Sequence, residues 1–217
     1  MFEKSGAGWR VSARTHLSML IALYLRDLAG VVGTPVPLDD GAGPVLCAVQ
    51  PAVKPRAATE LSHSELAELS QEWHQWWRRM VLRYDVDGSP EAADLPEAAL
   101  LGQPDFDAFR ASPALQKLLR AHYGAAHDWA NERRRQYNTV AREHAAAGRR
   151  RVVETLVQER SLEGAAGQDL EINLVELPLA ERRAWLTGRR TVLLSQDLAA
   201  DQTLLRSYLE PMIRLIG

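Results

Sequence analysis

The chain has 217 residues, and its 26 lysines and arginines nearly balance its 28 aspartates and glutamates. A content of 46% hydrophobic and 25% charged residues is typical of a globular protein and excludes a wholly disordered, collagen-like or membrane-spanning chain. The net charge of -2 argues against a general polyanion binder, because affinity for nucleic acid comes mostly from neutralising phosphates. Twenty-three of the 26 cations are arginines, and together with the high alanine content this indicates a GC-rich bacterial genome.

The cysteine count and the most apolar segment of the sequence together predict the cellular compartment. Cys47 is the single cysteine, so the chain has no disulfide framework, and we expect a cytoplasmic location. The apolar window at residues 17–25 is shorter than the roughly 20 residues that cross a bilayer, so no transmembrane segment is predicted. Its apolar residues share one helical face, which favours a buried helix. An uncleaved membrane anchor is the alternative.

In chain order, the first predicted helix is capped by Ser12 and runs to about Gly30. Residues 33–60 contain several prolines and glycines and are predicted as a loop, interrupted by a short strand at 45–49.

A second helix is predicted to begin at Ser62, since Glu65 completes a capping-box pattern with that serine. Large apolar residues then recur at spacings of three and four and predict one buried stripe. They are Leu66, Leu69, Trp73, Trp76, Met80 and Tyr84.

An acidic connector is predicted next, because residues 85–107 contain seven acids and no base. Ser112 and Pro113 are a typical cap and first residue of a helix, which is predicted to run to about Ala147. A continuation of this helix towards Ser161 is the alternative.

The C-terminal part is predicted to contain strands at 170–175 and 191–195, with a helical turn at 181–186 between them. Asp201 is predicted to cap a final helix, and Pro211 is expected to kink or break it.

The predicted fold class is therefore helix-dominated α+β, with several amphipathic helices and a small two- or three-stranded sheet toward the C-terminus. Three regions are distinguished: an N-terminal helical region (1–84), the acidic connector (85–112), and a long helix with a C-terminal α/β portion (113–217). We expect them to form one compact domain.

Motifs that define common enzyme and cofactor sites are absent from the sequence. It contains no Walker A loop, Gly-rich dinucleotide fingerprint, Gly-x-Ser-x-Gly elbow or His-Glu-x-x-His helix. No cofactor and no catalytic residue is therefore predicted, and the sequence argues against an enzyme. A metal site formed by His122, Asp105 and Asp107 remains a hypothesis, since such groups bind metal ions. The alternative is that the two aspartates lie on a solvated loop that Phe106 and Phe109 dock on the core.

An aromatic and cationic cluster on the second helix predicts a partner-binding surface. Trp77 and His74 lie at the edge of the apolar stripe, next to Arg78 and Arg79. Tryptophan and arginine are enriched in binding hot spots. The alternative is that these side chains belong to the core, as we expect for Trp73 and Trp76.

Two runs of arginine predict an anion-binding or nucleic-acid-binding surface on the long helix and just after it. They are Arg133, Arg134 and Arg135, and Arg149, Arg150 and Arg151. Internal neutralisation by the acidic connector is the alternative, and we favour it.

Three functions are consistent with these patterns. The first is a non-catalytic accessory or interaction protein that docks a partner chain or itself through aromatic and arginine patches. The second is a nucleic-acid-associated protein that uses the arginine runs. The third is an enzyme without a recognised motif, for example a metal-dependent hydrolase.

Overall fold

A computed structural model describes residues 2–3, 9–31, 35–38, 41–55, 61–86, 101–146, 148–160 and 170–216. The chain divides into two compact units. We call Met1–Thr15 with Arg135–Gly217 the sheet unit, and His16–Arg134 the helical unit. In the described residues no helix has both the length and the apolar content needed to cross a membrane.

The described elements confirm a helix-dominated α+β fold. The helices are α1 (Leu17–Leu28), α2 (His63–Val86), α3 (Pro113–Ala146), α4 (Arg149–Arg160), α5 (Gln196–Ala200) and α6 (Gln202–Leu215). The strands are β1 (Phe2–Glu3), β2 (Trp9–Arg14), β3 (Pro35–Leu38), β4 (Gly41–Val45), β5 (Leu170–Leu177), β6 (Ala184–Thr187) and β7 (Thr191–Ser195).

The sheet unit is built on a mixed sheet in the order β1-β2-β5-β7-β6. Strands β2, β5 and β7 are parallel, and β6 is antiparallel to β7. Ile172 and Leu174 of β5 belong to one hydrophobic core with Leu205 and Leu209 of α6 and Leu156 of α4. The alternating pattern therefore marks a strand, as predicted, but the second half of β5 is buried on both faces, since Val175, Glu176 and Leu177 are all at most 1% exposed.

The sheet is larger than predicted because two strands of the N-terminal segment, β1 and β2, belong to it. Ser12 lies within β2 and caps no helix. Helix α1 begins at Leu17, after His16 in an extended conformation, and ends before Gly30. The alternation of Val11 and Ala13 with polar neighbours is a strand pattern that the helical interpretation overlooked.

Two further differences concern the C-terminal part and the loop at 45–49. The helical turn predicted at 181–186 is wrong, because β6 occupies 184–187 and pairs with β7 as a hairpin. The strand predicted at 45–49 is displaced, since β4 ends at Val45. Helix α6 runs through Pro211 without a break, and its cap is confirmed: the Leu204 amide donates to Asp201 Oδ1 at 3.0 Å.

Helix α1 of the helical unit is buried along nearly its whole length, including its only ion pair. Arg26 Nε donates to Asp27 Oδ1 at 2.6 Å, and both side chains are at most 3% exposed. Arg26 also donates to the carbonyls of Leu46 and Cys47, and Asp27 Oδ2 accepts from the Val49 amide at 2.7 Å. These bonds fasten the segment at 46–49 to α1.

Helices α2 and α3 begin as the sequence predicts. The Ser62 amide donates to Glu65 Oε2 at 2.8 Å and the Glu65 amide to Ser62 Oγ at 3.3 Å, which is a complete capping box. Pro113 is the first residue of α3, and the Leu115 amide donates to Glu72 Oε2 of α2 at 2.7 Å. The chain leaves the helix at Ala146, and α4 follows from Arg149.

The acidic connector lies largely outside the described residues, which omit 87–100. The three sequence regions and their union into one domain stay predictions.

Candidate functional site

The partner-binding surface predicted on α2 is not formed by its two central residues, which are buried. Trp77 is 1% exposed and His74 is 7% exposed. Trp77 stacks on Trp73 with ring centroids 5.4 Å apart, and His74 Nδ1 lies 2.6 Å from the Ser70 carbonyl oxygen. Of the remaining candidates, Arg78 is half-buried and Arg79 is exposed.

The buried face of α2 is wider than the predicted stripe. Trp73 is buried as expected, and its Nε1 donates to the Ala22 carbonyl at 2.7 Å. Trp76 is half-buried and makes an edge contact with Phe109. Periodicity marks the centre of a buried face, while the width depends on how many neighbouring elements pack against it.

The predicted metal ligands do not assemble into a site. Asp105 and Asp107 are exposed, and Asp107 pairs with Arg110 at 3.0 Å. His122 is half-buried on α3. Among the described residues no three His, Cys, Asp or Glu side chains are grouped so that they could hold a metal ion.

The loop that carries Asp105 and Asp107 is instead a docked connection. Phe106 and Phe109 are buried, at 5% and 7% exposure. Gln116 Nε2 and the Arg120 guanidinium both donate to the Asp105 carbonyl oxygen, at 3.0 to 3.1 Å. This matches the alternative reading, in which the two phenylalanines dock a solvated loop.

The arginine runs on α3 and α4 differ in burial. Arg134, Arg135 and Arg151 are exposed, while only 15% of the Arg133 side chain is exposed. The side chains of Arg149 and Arg150 lie outside the described residues. Arg134 and Arg151 make no ion pair with any described acid. Since most of the acidic connector lies outside the described residues, the internal neutralisation that we favour stays a prediction.

Arg133 belongs to a group of three stacked side chains in the helical unit, which we call the Tyr24–Trp129–Arg133 cluster. The Tyr24 and Trp129 ring centroids lie 5.5 Å apart, and the planes are inclined by 46°. The Arg133 Cζ lies 5.9 Å from the centroid of the Trp129 ring, within the range of a cation–π contact. Trp129 and Arg133 are four residues apart, so α3 places them on one face.

The polar groups of this cluster have no hydrogen-bond partner in the described protein. Arg133 Nε is buried and unpaired. No described residue hydrogen-bonds to the Tyr24 hydroxyl, the Trp129 indole nitrogen or the terminal nitrogens of Arg133. Glu132 Oε1 lies 4.0 Å from Arg133 Nη2. Burial of Arg133 Nε without a hydrogen bond is costly, so this cluster is the best candidate for a ligand contact.

The sequence identified only part of the cluster. It singled out Arg133 as a member of an arginine run, and periodicity places Trp129 on the same face of α3. Tyr24 lies more than 100 positions away, and no sequence pattern links it to them. The signal that was available was the pairing of tryptophan and arginine at i and i+4, which are neighbouring positions on a helix.

No protein-family model matches the chain, no curated protein is similar to it, and no solved structure resembles it.

Proposed function

We propose that this protein is a non-catalytic, cytoplasmic accessory protein that docks a partner chain through arginine and aromatic side chains. The observation that supports this proposal is the Tyr24–Trp129–Arg133 cluster, with its unused hydrogen-bond donors. Tyrosine, tryptophan and arginine are the residues that dominate binding hot spots. A partner that covers the cluster would satisfy the Arg133 guanidinium and bury the two rings further.

The charges along α3 favour a protein partner over nucleic acid. The exposed charges of this helix are of both signs, because Asp128 and Glu143 interrupt a series of exposed bases that includes Arg134 and Arg142. Nucleic acids are bound most effectively by surfaces of a single positive sign, because each acid repels phosphate. A mixed surface matches the polar rim of a protein interface.

Two charge-neutralising variants on adjacent residues test the proposal. Arg133→Gln removes the stacked guanidinium, whereas Arg134→Gln removes an exposed one from the same helix and is the matched control. Each variant is used to capture proteins from the organism that encodes the chain, and captured partners are purified and titrated by calorimetry. Light scattering reports self-association.

We expect a partner, or a dimer, that forms with the wild type and with Arg134→Gln but weakens at least tenfold with Arg133→Gln. A wild-type protein that remains monomeric and captures no partner dependent on Arg133 would contradict the proposal.

A nucleic-acid-associated function is the second candidate, favoured by the exposed arginines Arg134 and Arg142 on α3. Neither makes an ion pair with an acid that the structure describes. Fluorescence anisotropy with a DNA duplex at 50 and 200 mM salt tests this candidate, because phosphate contacts predict a steep loss of affinity with salt. Absence of binding at 50 mM salt would eliminate it.

A further inference from the structure

We infer that the Tyr24–Trp129–Arg133 cluster recognises a carboxylate, supplied by an acidic side chain on an extended segment of the partner chain. This inference rests on the proposed docking function and names the chemistry of the contact.

The hydrogen-bonding groups of the cluster are almost entirely donors. The Arg133 guanidinium has five N–H donors and no acceptor, and the Trp129 indole has one donor and no acceptor. The Tyr24 hydroxyl can donate as well as accept. Because no described residue accepts from these groups, the complementary ligand is rich in acceptors, and a carboxylate offers two oxygens that match the arginine fork.

The local charge favours a monoanion. Glu132 Oε1 lies 4.0 Å from Arg133 Nη2, which is too far for a hydrogen bond but close enough to offset part of the positive charge. A dianionic phosphate would meet one partly neutralised cation and the Glu132 carboxylate. A single carboxylate adds one negative charge where a phosphate dianion adds two, so the repulsion from Glu132 is smaller and we assign the site to a carboxylate.

Access to the guanidinium is from the solvent side. Of the three Arg133 nitrogens only Nε is both buried and unpaired, so the two terminal nitrogens retain solvent contact. The half-buried Trp129 ring lies next to the guanidinium and the half-buried Tyr24 ring packs against Trp129, so the two rings offer an apolar wall. The methylene groups of a glutamate side chain would pack there, which distinguishes a glutamate from a free inorganic anion.

The test uses the indole N–H resonances of the full-length protein in a two-dimensional ¹H–¹⁵N spectrum, with the Trp129 signal assigned by a Trp129→Phe variant. The probe is a terminally blocked peptide with three consecutive glutamates, and its control is the same peptide with three glutamines. Inorganic phosphate is titrated separately. The protein variants are Arg133→Gln, Arg133→Lys and the control Arg134→Gln.

We expect the glutamate peptide to shift the Trp129 signal saturably, and the glutamine peptide to leave it unchanged. Affinity should fall at least tenfold in Arg133→Gln, be partly retained in Arg133→Lys, which keeps the charge without the fork, and remain within twofold in Arg134→Gln. Thermal unfolding of each variant confirms that it is folded.

Equal losses in Arg133→Gln and Arg134→Gln would overturn the inference, because they would indicate unspecific charge attraction. A Trp129 shift that saturates with phosphate but not with the peptide would overturn it as well, as would no shift with either probe. If the glutamate peptide fails while a captured partner still depends on Arg133, the docking function stands and only the carboxylate chemistry is wrong.

Discussion

Replacement of Asp27 by asparagine is the most direct test of the packing of the helical unit. The Asp27 carboxylate accepts hydrogen bonds from Arg26 Nε and from the Val49 amide, and Asp27 is 1% exposed. Asparagine has nearly the same shape and keeps one acceptor oxygen. The substitution therefore removes the charge with little change in volume.

The expected cost follows from the burial of Arg26. Its guanidinium stays in place, 3% exposed, with two backbone carbonyls as its remaining acceptors but no counter-charge. Removing one partner of a buried ion pair costs about 3–5 kcal/mol. Asparagine preserves one acceptor, but its NH2 group must face a second donor, either Arg26 Nε or the Val49 amide. We therefore expect the full cost of about 3–5 kcal/mol, a large fraction of the roughly 5–15 kcal/mol that stabilises a typical domain.

The assay is urea unfolding followed by circular dichroism, together with hydrogen exchange at the Val49 amide. The matched control is Asp107→Asn, which breaks the Asp107–Arg110 pair at the surface, where the side chains are 52% and 76% exposed. We expect the control to cost less than about 1 kcal/mol, because exposed ion pairs contribute little. A loss below about 1 kcal/mol for Asp27→Asn, with unchanged exchange at Val49, would refute the reasoning.

Three further predictions concern the helical unit. Gly102→Ala should destabilise it by about 1–3 kcal/mol in urea unfolding, because φ is +66° there and an added Cβ would lie 2.9 Å from the Ala108 backbone nitrogen. Gly124→Ala should stabilise it by up to about 1 kcal/mol in the same assay, since nothing lies within 4 Å of the added Cβ on α3. Hydrogen bonds from the Ser62 hydroxyl and amide lower the pKa of Glu65 below its ordinary value of 4.5. The stabilisation is therefore present above pH 4.5 and is lost as the pH falls through the folded-state pKa. The difference in the midpoint of thermal unfolding between wild type and Glu65→Gln should accordingly vanish in acid. A difference that persists at pH 2 would contradict a stabilising role of the ionised Glu65 carboxylate.

Local signals in the sequence predicted several elements correctly. The capping box at Ser62 and the cap at Asp201 depend on side chains that bond to backbone groups within a few residues. Pro113 begins α3 because the fixed φ of proline suits the first helical position. The strands at 170–177 and 191–195 follow from local alternation or a short apolar run. Such features are encoded locally, so a linear pattern is sufficient to find them.

Features that depend on distant neighbours were predicted less well. The sequence predicts a helix that Ser12 caps, whereas residues 9–14 form β2, whose parallel partner β5 lies some 160 positions away. Trp77 and His74 were placed at the edge of a surface patch, whereas packing around α2 buries both. Periodicity ranks positions around a helix but does not show how many neighbours cover it.

For this protein, the sequence by itself determined the helix-dominated α+β class, the caps at Ser62 and Asp201 and the centre of the buried face of α2, because these depend on local hydrogen bonding and hydrophobic periodicity. Only the tertiary structure decided which arginine is unusual. Nine arginines in α3 and α4 are alike in charge, but among the described side chains only Arg133 lies over the Trp129 ring, which in turn packs against Tyr24. Burial and ring contacts, which depend on residues far apart in the chain, distinguish Arg133 from the other arginines that carry the same charge.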